Sequence, residues 1–347
     1  MTKSINGMET TVGKKGRLGK STKAVAGPPK EPSSAVLRYR GSSHFRQRVV
    51  CSLLSGRAIR IDDIRPFPTT TDHQEDVQMG VMGHEAAFLR LVDKLTNGTQ
   101  QIEINETGTT LRLKPGYIVG GRAQHDCGTT RSLGWFIEGL LPLAIFSKTP
   151  FNLTLSGITN DDVDLSVDAL KAVTLPLLKH FGIAEEGGLD LKVKRRGAPP
   201  KGGGLVEFRC PIVRELKPID FTDPGLIKRI RGNAYCTKVS PQIANRVAES
   251  SRGLLNRLLP DVWVHTDHHA GRTGGDSPGF ALSLVAESTT GVLLLAETAA
   301  EKGTLPEDLG NLGSKLILEE IKNGGCVDSS HQSLAMLLMV LCPEDVR

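Results

Sequence analysis

The stretch RYRGSSHFRQRVVCSLLSGRAIRIDDIR, residues 38–65, decides the fold, because it predicts a strand, a helix and a second strand that together carry seven arginines. In the helix, 44–54, apolar Phe45, Val49, Cys51, Leu53 and Leu54 leave Arg46, Gln47 and Arg48 toward the N-terminal end, and Ser42 or Ser43 is the natural N-cap. Backbone N–H groups and arginines at a helix start favour an anion, which makes Arg46 and Arg48 candidates for a phosphate or RNA site. A solvated helix end beside a sheet edge is the competing reading.

Working outward, the plan repeats. After strand 58–64 come a helix at 81–96, stopped by Asn97-Gly98, and a hairpin of 101–105 with 109–113 turning at Thr107-Gly108. A second copy follows: strand 117–121, helix 129–146, strand 151–156, helix 166–181 closed by Gly182, and paired strands 189–194 and 205–209. The period is too long for a solenoid and suits whole βαβαββ modules. A third copy opens with a strand at 211–215 and is then interrupted by a segment with its own βαβββα pattern. That segment has strand 226–235, a helix opened by Ser240-Pro241 with Ile243, Val247, Leu254 and Leu258 inward, strands 262–266, 280–287 and 292–297, and helix 307–322. Asp328 or Ser329 then caps a helix through Leu334, Leu337, Leu338 and Leu341 that resumes the third module; the sequence reaches Arg347 before that module has its last strand and helix.

The domains expected are thus a disordered basic tail at 1–35, a repeat domain at 36–217 and 324–347, and an inserted domain at 218–323. The tail's Lys14, Lys15, Arg17, Lys20 and Lys23 suit either a localisation signal or a solubilising extension. Of 347 residues, 39% are apolar, enough for real cores, and the net charge of +5 is compatible with a polyanionic partner without requiring one. The six cysteines are scattered with no CxxC pair, which indicates neither zinc nor a disulfide framework and points to a reducing compartment. No apolar run approaches the roughly 20 residues needed to span a bilayer, and no signal peptide is evident. A soluble, intracellular protein with no membrane partner is expected.

The chemistry-bearing residues are mostly basic. Lys192, Lys194, Arg195, Arg196 and Lys201 surround a Pro/Gly loop, and Lys228, Arg229 and Arg231 lie early in the insertion; such clusters neutralise RNA phosphates without reading sequence, or dock a protein. Aromatic residues make up 4% of the chain, so base stacking is not favoured. His125, with Arg122 nearby, is placed in a loop before a helix, where it either contacts an anion or is satisfied locally. In HTDHH, His265 and Asp267 share a strand face while His268 and His269 fall in the following Gly-rich loop, and no second ligand pair lies at zinc-like spacing. Asp276 and Ser277 read as turn chemistry.

Several segments in order resemble one family: GSSHFRQRVVCSLLSGRAIRI, NGTQQIEINETGTTLRLKPG, SGITNDDVDLSVDALK, LPLLKHFGI, VKRRGAPPKGGG, FTDPGLIKRIRG, SPGFALSLVAES, LPEDLG and GGCVDSSHQSLAMLLM. From about Val36 to Arg347 the chain is similar to the RNA 3'-terminal phosphate cyclase family, in its cyclase-like branch. The resemblance implies an α+β fold of repeated βαβαββ modules with a smaller inserted thioredoxin-like α/β domain. It also implies a factor of the nucleus and nucleolus that works in the small-subunit processome, on pre-rRNA leading to 18S rRNA and the 40S subunit, with a nucleolar ribosome-assembly GTPase as partner.

True cyclases in this resemblance activate a terminal RNA phosphate with ATP through a histidine nucleophile, and carry GEGGGQxLR before the first helix. Here the run is RYRGSSHFR. Tyr39 stands where the acid would be and Ser43 where the Gln would be, and of the pattern only Gly41 and Arg46 survive. Bulky side chains in place of glycines keep a phosphate chain away from the backbone. Glu75 and Asp76 further on would repel a triphosphate, and the nucleophilic histidine would lie beyond Arg347. His331, in a Ser-rich cap region without a partner constellation, reads as structural. No catalytic residue, metal or cofactor is therefore assigned. The alternative is a divergent enzyme, either an endoribonuclease of pre-rRNA or a residual cyclase, using acids such as Asp62, Asp63 or Asp328. Asp62 and Asp63 point to opposite faces of a continuing strand, which makes a poor metal pair.

Overall fold

Strict alternation builds the first sheet. The computed structural model describes residues 36–67, 79–183, 188–213 and 215–346, all within one unit that begins at Ser34. In β1 (Leu37–Arg40), β2 (Ile59–Asp62), β3 (Gln101–Ile104) and β4 (Leu111–Lys114), successive side chains point to opposite faces, so Ile59, Ile61, Leu111 and Leu113 are buried while Arg60 and Arg112 meet water. The strand order is β1-β2-β4-β3, with β1 and β2 parallel and the other pairs antiparallel. Helix α1 (Phe45–Ser55) joins the parallel pair and α2 (Gly83–Leu95) leads into the hairpin.

The plan is then repeated with the same sense. Strand β5 (Gly120–Asp126), α3 (Leu133–Ile145) and β6 (Thr149–Gly157) are followed by α4 (Val167–Ala169), which runs through a π turn (Leu170–Thr174) into α5 (Leu175–His180). Strands β7 (Asp190–Arg195) and β8 (Gly204–Cys210) complete the order β5-β6-β8-β7. The helices of both copies share one core, in which Val49, Leu53, Phe88, Leu91, Phe136, Leu140 and Leu178 are buried. Each such side chain contributes about 1.5–3 kcal/mol of transfer free energy.

A third sheet has order β10-β9-β11-β12, formed by β9 (Ile227–Thr237), β10 (Val262–His269), β11 (Gly279–Ser288) and β12 (Leu293–Ala299). Helices α6 (Pro241–Leu255) and α7 (Pro306–Asn323) cover one of its faces over a separate core that includes Ile230, Ala234, Val247, Leu282 and Ile317. Helix α8 (Gln332–Leu341) then returns to the first core through Leu334, Ala335 and Leu338. The fold is α+β with mixed sheets, and no described helix is long and apolar enough to cross a membrane.

The structure corrects several sequence expectations. Strand β5 is polar GGRAQHD rather than 117–121, because only alternate positions face the core; apolar Tyr117 lies outside it, exposed, with Lys148 stacked on its ring. The strand expected at 211–215 is not formed by residues 211–213 and 215. Helix α6 ends before Leu258, which is exposed, and Leu255 takes the inward position. The helix α1 cap is His44 in a left-handed conformation without a side-chain bond, not Ser42 or Ser43. The tail at 1–35 and the acidic loop residues Glu75 and Asp76 lie outside the described residues.

The open face of the third sheet lies against α4 and the π turn. Val285 and Leu295 pack on Ala169 and Val173, and beside them sits one buried guanidinium. Arg196, 3% exposed, donates to both oxygens of Asp168 at 2.5 and 2.8 Å and to Asp267 at 3.0 Å, and stands 4.8 Å over the Tyr235 ring. Asn233 donates to Asp168 at 3.1 Å, and His269 bonds Asp267 at 2.9 Å. Burial alone would favour a neutral guanidine, but the charge and hydrogen bonds of Asp168 outweigh it and raise the Arg196 pKa further. Burial likewise opposes ionisation of Asp267, yet His269 and Arg196 hold its carboxyl below the usual range. Removing one member of such a set strands the others in a medium that solvates them poorly. Arg196→Met should therefore lower the urea-unfolding free energy by about 3–5 kcal/mol, and adding Asp168→Asn should recover part of it; a loss too small to measure would show that the network does not hold the layers.

Glu297 on β12 supplies a pH dependence. Its Oε1 accepts the Ser166 N–H at 2.9 Å, its Oε2 is buried without a partner, and burial pushes its pKa from 4.5 up to about 7. A carboxyl whose folded pKa is raised contributes stability that is full below its unfolded value and is lost as pH rises through the folded value. Stability attributable to this group should fall between pH 4.5 and about 7. Glu297→Gln, which keeps the Oε1 acceptor, should remove that decline and stabilise the protein at pH 8 by at most about 3 kcal/mol. Identical pH profiles for the variant and the parent in urea titrations would refute it.

Candidate functional site

The loop after β1 shows what became of the anion site expected at the start of α1. Arg48 Nη1 donates to the carbonyl oxygens of Gly41 at 2.8 Å and Arg40 at 3.3 Å, and its guanidinium lies 5.0 Å over the Tyr39 ring. The Gly41 N–H is taken by the Asp62 carbonyl at 2.9 Å. A phosphate cradle needs N–H groups free to meet the anion; here the Gly41 N–H is spent on Asp62, and the Arg48 guanidinium sits on the Arg40 and Gly41 carbonyls. Arg46 points the other way, 8% exposed, donating to the Trp135 carbonyl and to Glu138 at 2.6 Å, where it ties α1 to α3. The pairing of Arg46 and Arg48 around one anion is thus corrected: each is committed to the protein, on opposite sides of the helix.

The Pro/Gly loop at 195–204 is likewise filled by protein. Arg196 N–H donates to the Thr273 carbonyl, Asp276 N–H to the Gly202 carbonyl, and Lys201 N–H to Ser277 Oγ at 3.0 Å. A Cβ on Gly197 would sit 2.3 Å from the Gly204 nitrogen, and one on Gly275 would sit 2.3 Å from the Gly202 oxygen. The glycines here allow backbone to pack on backbone, joining the β7–β8 loop to the β10–β11 loop. Asp276 and Ser277 serve those turns. Arg196 is withdrawn from the surface altogether.

The other basic candidates separate into two groups. Arg122, Lys194 and Arg195 belong to the β5–β8 sheet, on edge strands three spacings apart; Arg122 is exposed, and Lys194, the extra residue of a β-bulge, pairs with Glu207 at 3.3 Å. On β9, Lys228 and Arg229 share Glu287 at 2.8 and 2.5 Å, and Arg231 is paired through two oxygens with Asp261. Each cation of the basic run on β9 thus has a carboxylate partner in or beside its own sheet. Between this sheet and α4–α5 lies a cleft of about 580 Å³ lined by Asp168, Lys171, His180, Arg231, Asn233 and Glu287, where positive and negative charges are interleaved.

The histidines are relocated too. His125 lies on β5, on the face opposite Arg122, with Lys94 3.4 Å away; burial and then Lys94 lower its pKa. Strand β10 extends through His269, so Asp267 and His269 share a face that a loop assignment hid. His331 does have partners: its Nε2 bonds Thr174 at 2.7 Å and its Nδ1 bonds Asp328 at 2.8 Å. All three are at most 1% exposed, and this hydroxyl–imidazole–carboxylate chain anchors the start of α8 to the π turn. Among the described residues, no three His, Cys, Asp or Glu side chains are placed to hold a metal ion. Asp62 and Asp63 pair with Arg60 and Arg40. The partners Asp168, Thr174 and Asn233 were absent from the sequence reading, since each acts across tens of residues of chain.

Comparison with known proteins places this geometry. The family described as RNA 3'-terminal phosphate cyclase matches residues 37–347. The chain is 53% identical over 315 residues to an RNA 3'-terminal phosphate cyclase-like protein of Homo sapiens, covering 89% of this chain and 82% of that protein. It is 50% identical over 327 residues to a probable RNA 3'-terminal phosphate cyclase-like protein of Dictyostelium discoideum, covering 90% and 85%. With the rRNA processing protein rcl1 of Schizosaccharomyces pombe the identity is 44% over 311 residues, covering 89% and 83%. With two successive modules of one topology and a match over nearly its whole length, the chain belongs to the RNA 3'-terminal phosphate cyclase family.

Proposed function

We propose that this chain is a non-catalytic ribosome-biogenesis factor that serves pre-rRNA processing as an RNA- and protein-binding scaffold. The observation that carries the reading is the loop after β1, whose Arg40 and Gly41 carbonyls are held by the Arg48 guanidinium and whose Gly41 N–H is spent on Asp62. The Pro/Gly loop, closed by backbone from 273–277, supports it, as does the name of the Schizosaccharomyces pombe relative, which is an rRNA processing protein. In this reading the chain acts in the small-subunit processome on the path to 18S rRNA and the 40S subunit, resides in the nucleus and nucleolus, and binds a ribosome-assembly GTPase together with pre-rRNA. Exposed Arg122, Lys194 with its surface pair to Glu207, and half-buried Arg195 are the phosphate-contacting candidates that remain from the sequence; Lys228, Arg229 and Arg231 suit a partner that exchanges for Glu287 and Asp261.

The test is turnover. Purified protein incubated with ATP, Mg²⁺ and RNA ending in a 3'-phosphate should yield no adenylated protein, no cyclic phosphate and no internal cleavage, while retaining the GTPase in a pull-down. Adenylation or cyclisation would overturn the scaffold reading in favour of a cyclase, and internal cleavage in favour of a nuclease.

A further inference from the structure

The solvent face of the first sheet carries an arrangement that the second sheet, built on the same plan, does not. Strand register places Arg38 beside Arg60 and Arg60 beside Arg112, with Glu103 beyond. Neighbouring strands lie about 4.8 Å apart, so three like charges stand in one row about 10 Å long. At the matching strands of the second sheet the row reads Arg122, Asn152, Arg209, Asp190, in which no two cations are neighbours. Like charges directly opposite each other destabilise a sheet. The first sheet nevertheless adds Arg40 and Lys114 to the same exposed face.

Local carboxylates do not cancel this field. Arg60 bonds Asp62 at 2.9 Å, Arg40 lies 3.2 Å from Asp63 and Arg112 approaches Glu103 at 3.5 Å, all on the surface, where such pairs are weak. Arg38 has no carboxylate partner among the described residues. Of the outward positions on the four strands, namely Arg38, Arg40, Arg60, Asp62, Gln101, Glu103, Arg112 and Lys114, none is apolar or aromatic. A protein interface centres on apolar and aromatic side chains, and single-strand readers stack bases on aromatic ones. A flat row of guanidinium groups without either suits repeated phosphates.

We propose that the Arg38–Arg60–Arg112 row is a docking surface for the phosphodiester backbone of RNA, contacted without reading its sequence. The proposal rests on the RNA-binding reading above and assigns it a surface distinct from Arg122, Lys194 and Arg195. Phosphate charge offsets the repulsion among the three arginines, and bidentate guanidinium geometry favours phosphate oxygens over a diffuse counterion cloud.

The experiment is fluorescence anisotropy of a labelled, unstructured RNA oligonucleotide with the full chain over a salt series. The triple variant Arg38→Gln/Arg60→Gln/Arg112→Gln should bind about tenfold or more weakly at low salt, with a log–log salt slope shallower by about 2, from roughly 0.7 per neutralised contact. Its thermal midpoint should be unchanged or higher, since repulsion is relieved. The all-lysine triple variant, which keeps the charge, should retain the wild-type salt slope. If the glutamine variant binds RNA like wild type while Arg122→Gln/Arg209→Gln does not, the row proposal falls and the RNA-binding reading stands. If wild type binds no RNA at any salt concentration, both fall. If the glutamine variant keeps RNA but loses a polyglutamate peptide, the face belongs to an acidic protein segment and the proposal is overturned.

Discussion

A single guanidinium, taken out of water between two carboxylates, sets the relation between the layers of this protein. Arg196 comes from the end of β7, Asp168 from the start of a helix, and Asp267 from the third sheet, so the charge set closes only when all three elements are in place. Desolvation makes such a set costly in isolation, and its value lies in geometry: a displaced layer would leave an ion with nothing to balance it. The neighbouring glycines act in the same direction. Because Gly197 and Gly275 bring backbone against backbone, the loops on either side of Arg196 have almost no alternative packing.

Much of this was legible in the sequence, and the reasons for the gaps are physical. The alternation of Ile59 with Ile61 and of Leu111 with Leu113 marks one-sided strands, and the spacing of two such sets marks a repeated module. Strand β5 was displaced because its polar face hides the pattern, and three apolar residues just before it imitate one. Arg46 read as a surface cation because helical periodicity says nothing about Glu138, 92 residues away. His269 was assigned to a loop on the strength of its glycine-rich neighbours, yet pairing with Thr237 on β9 carries the strand through it. Local rules identify elements; the partners of charged groups are decided by which elements meet.

Charge shows the same divide. The lysine and arginine run on β9 is the densest basic cluster in that sheet, and each of its cations has a partner in Glu287 on β11 or Asp261 just before β10. The arginines of the first sheet are spread over β1, β2 and β4 in sequence, and become a cluster only through register. A count of basic residues along the chain does not show which of them stand side by side; the accumulated field depends on what stands on the next strand.

Arg48 gives the loop after β1 two separate fastenings. Its guanidinium is bound to two main-chain carbonyls and stacked on Tyr39. Replacing Tyr39 alone would remove the stacking partner while the carbonyl bonds stayed in place, and replacing Arg48 alone would leave those carbonyls without their cation. Neither single change frees the segment, so the ring stack and the two carbonyl bonds work as a double latch that fastens the start of α1 to the end of β1.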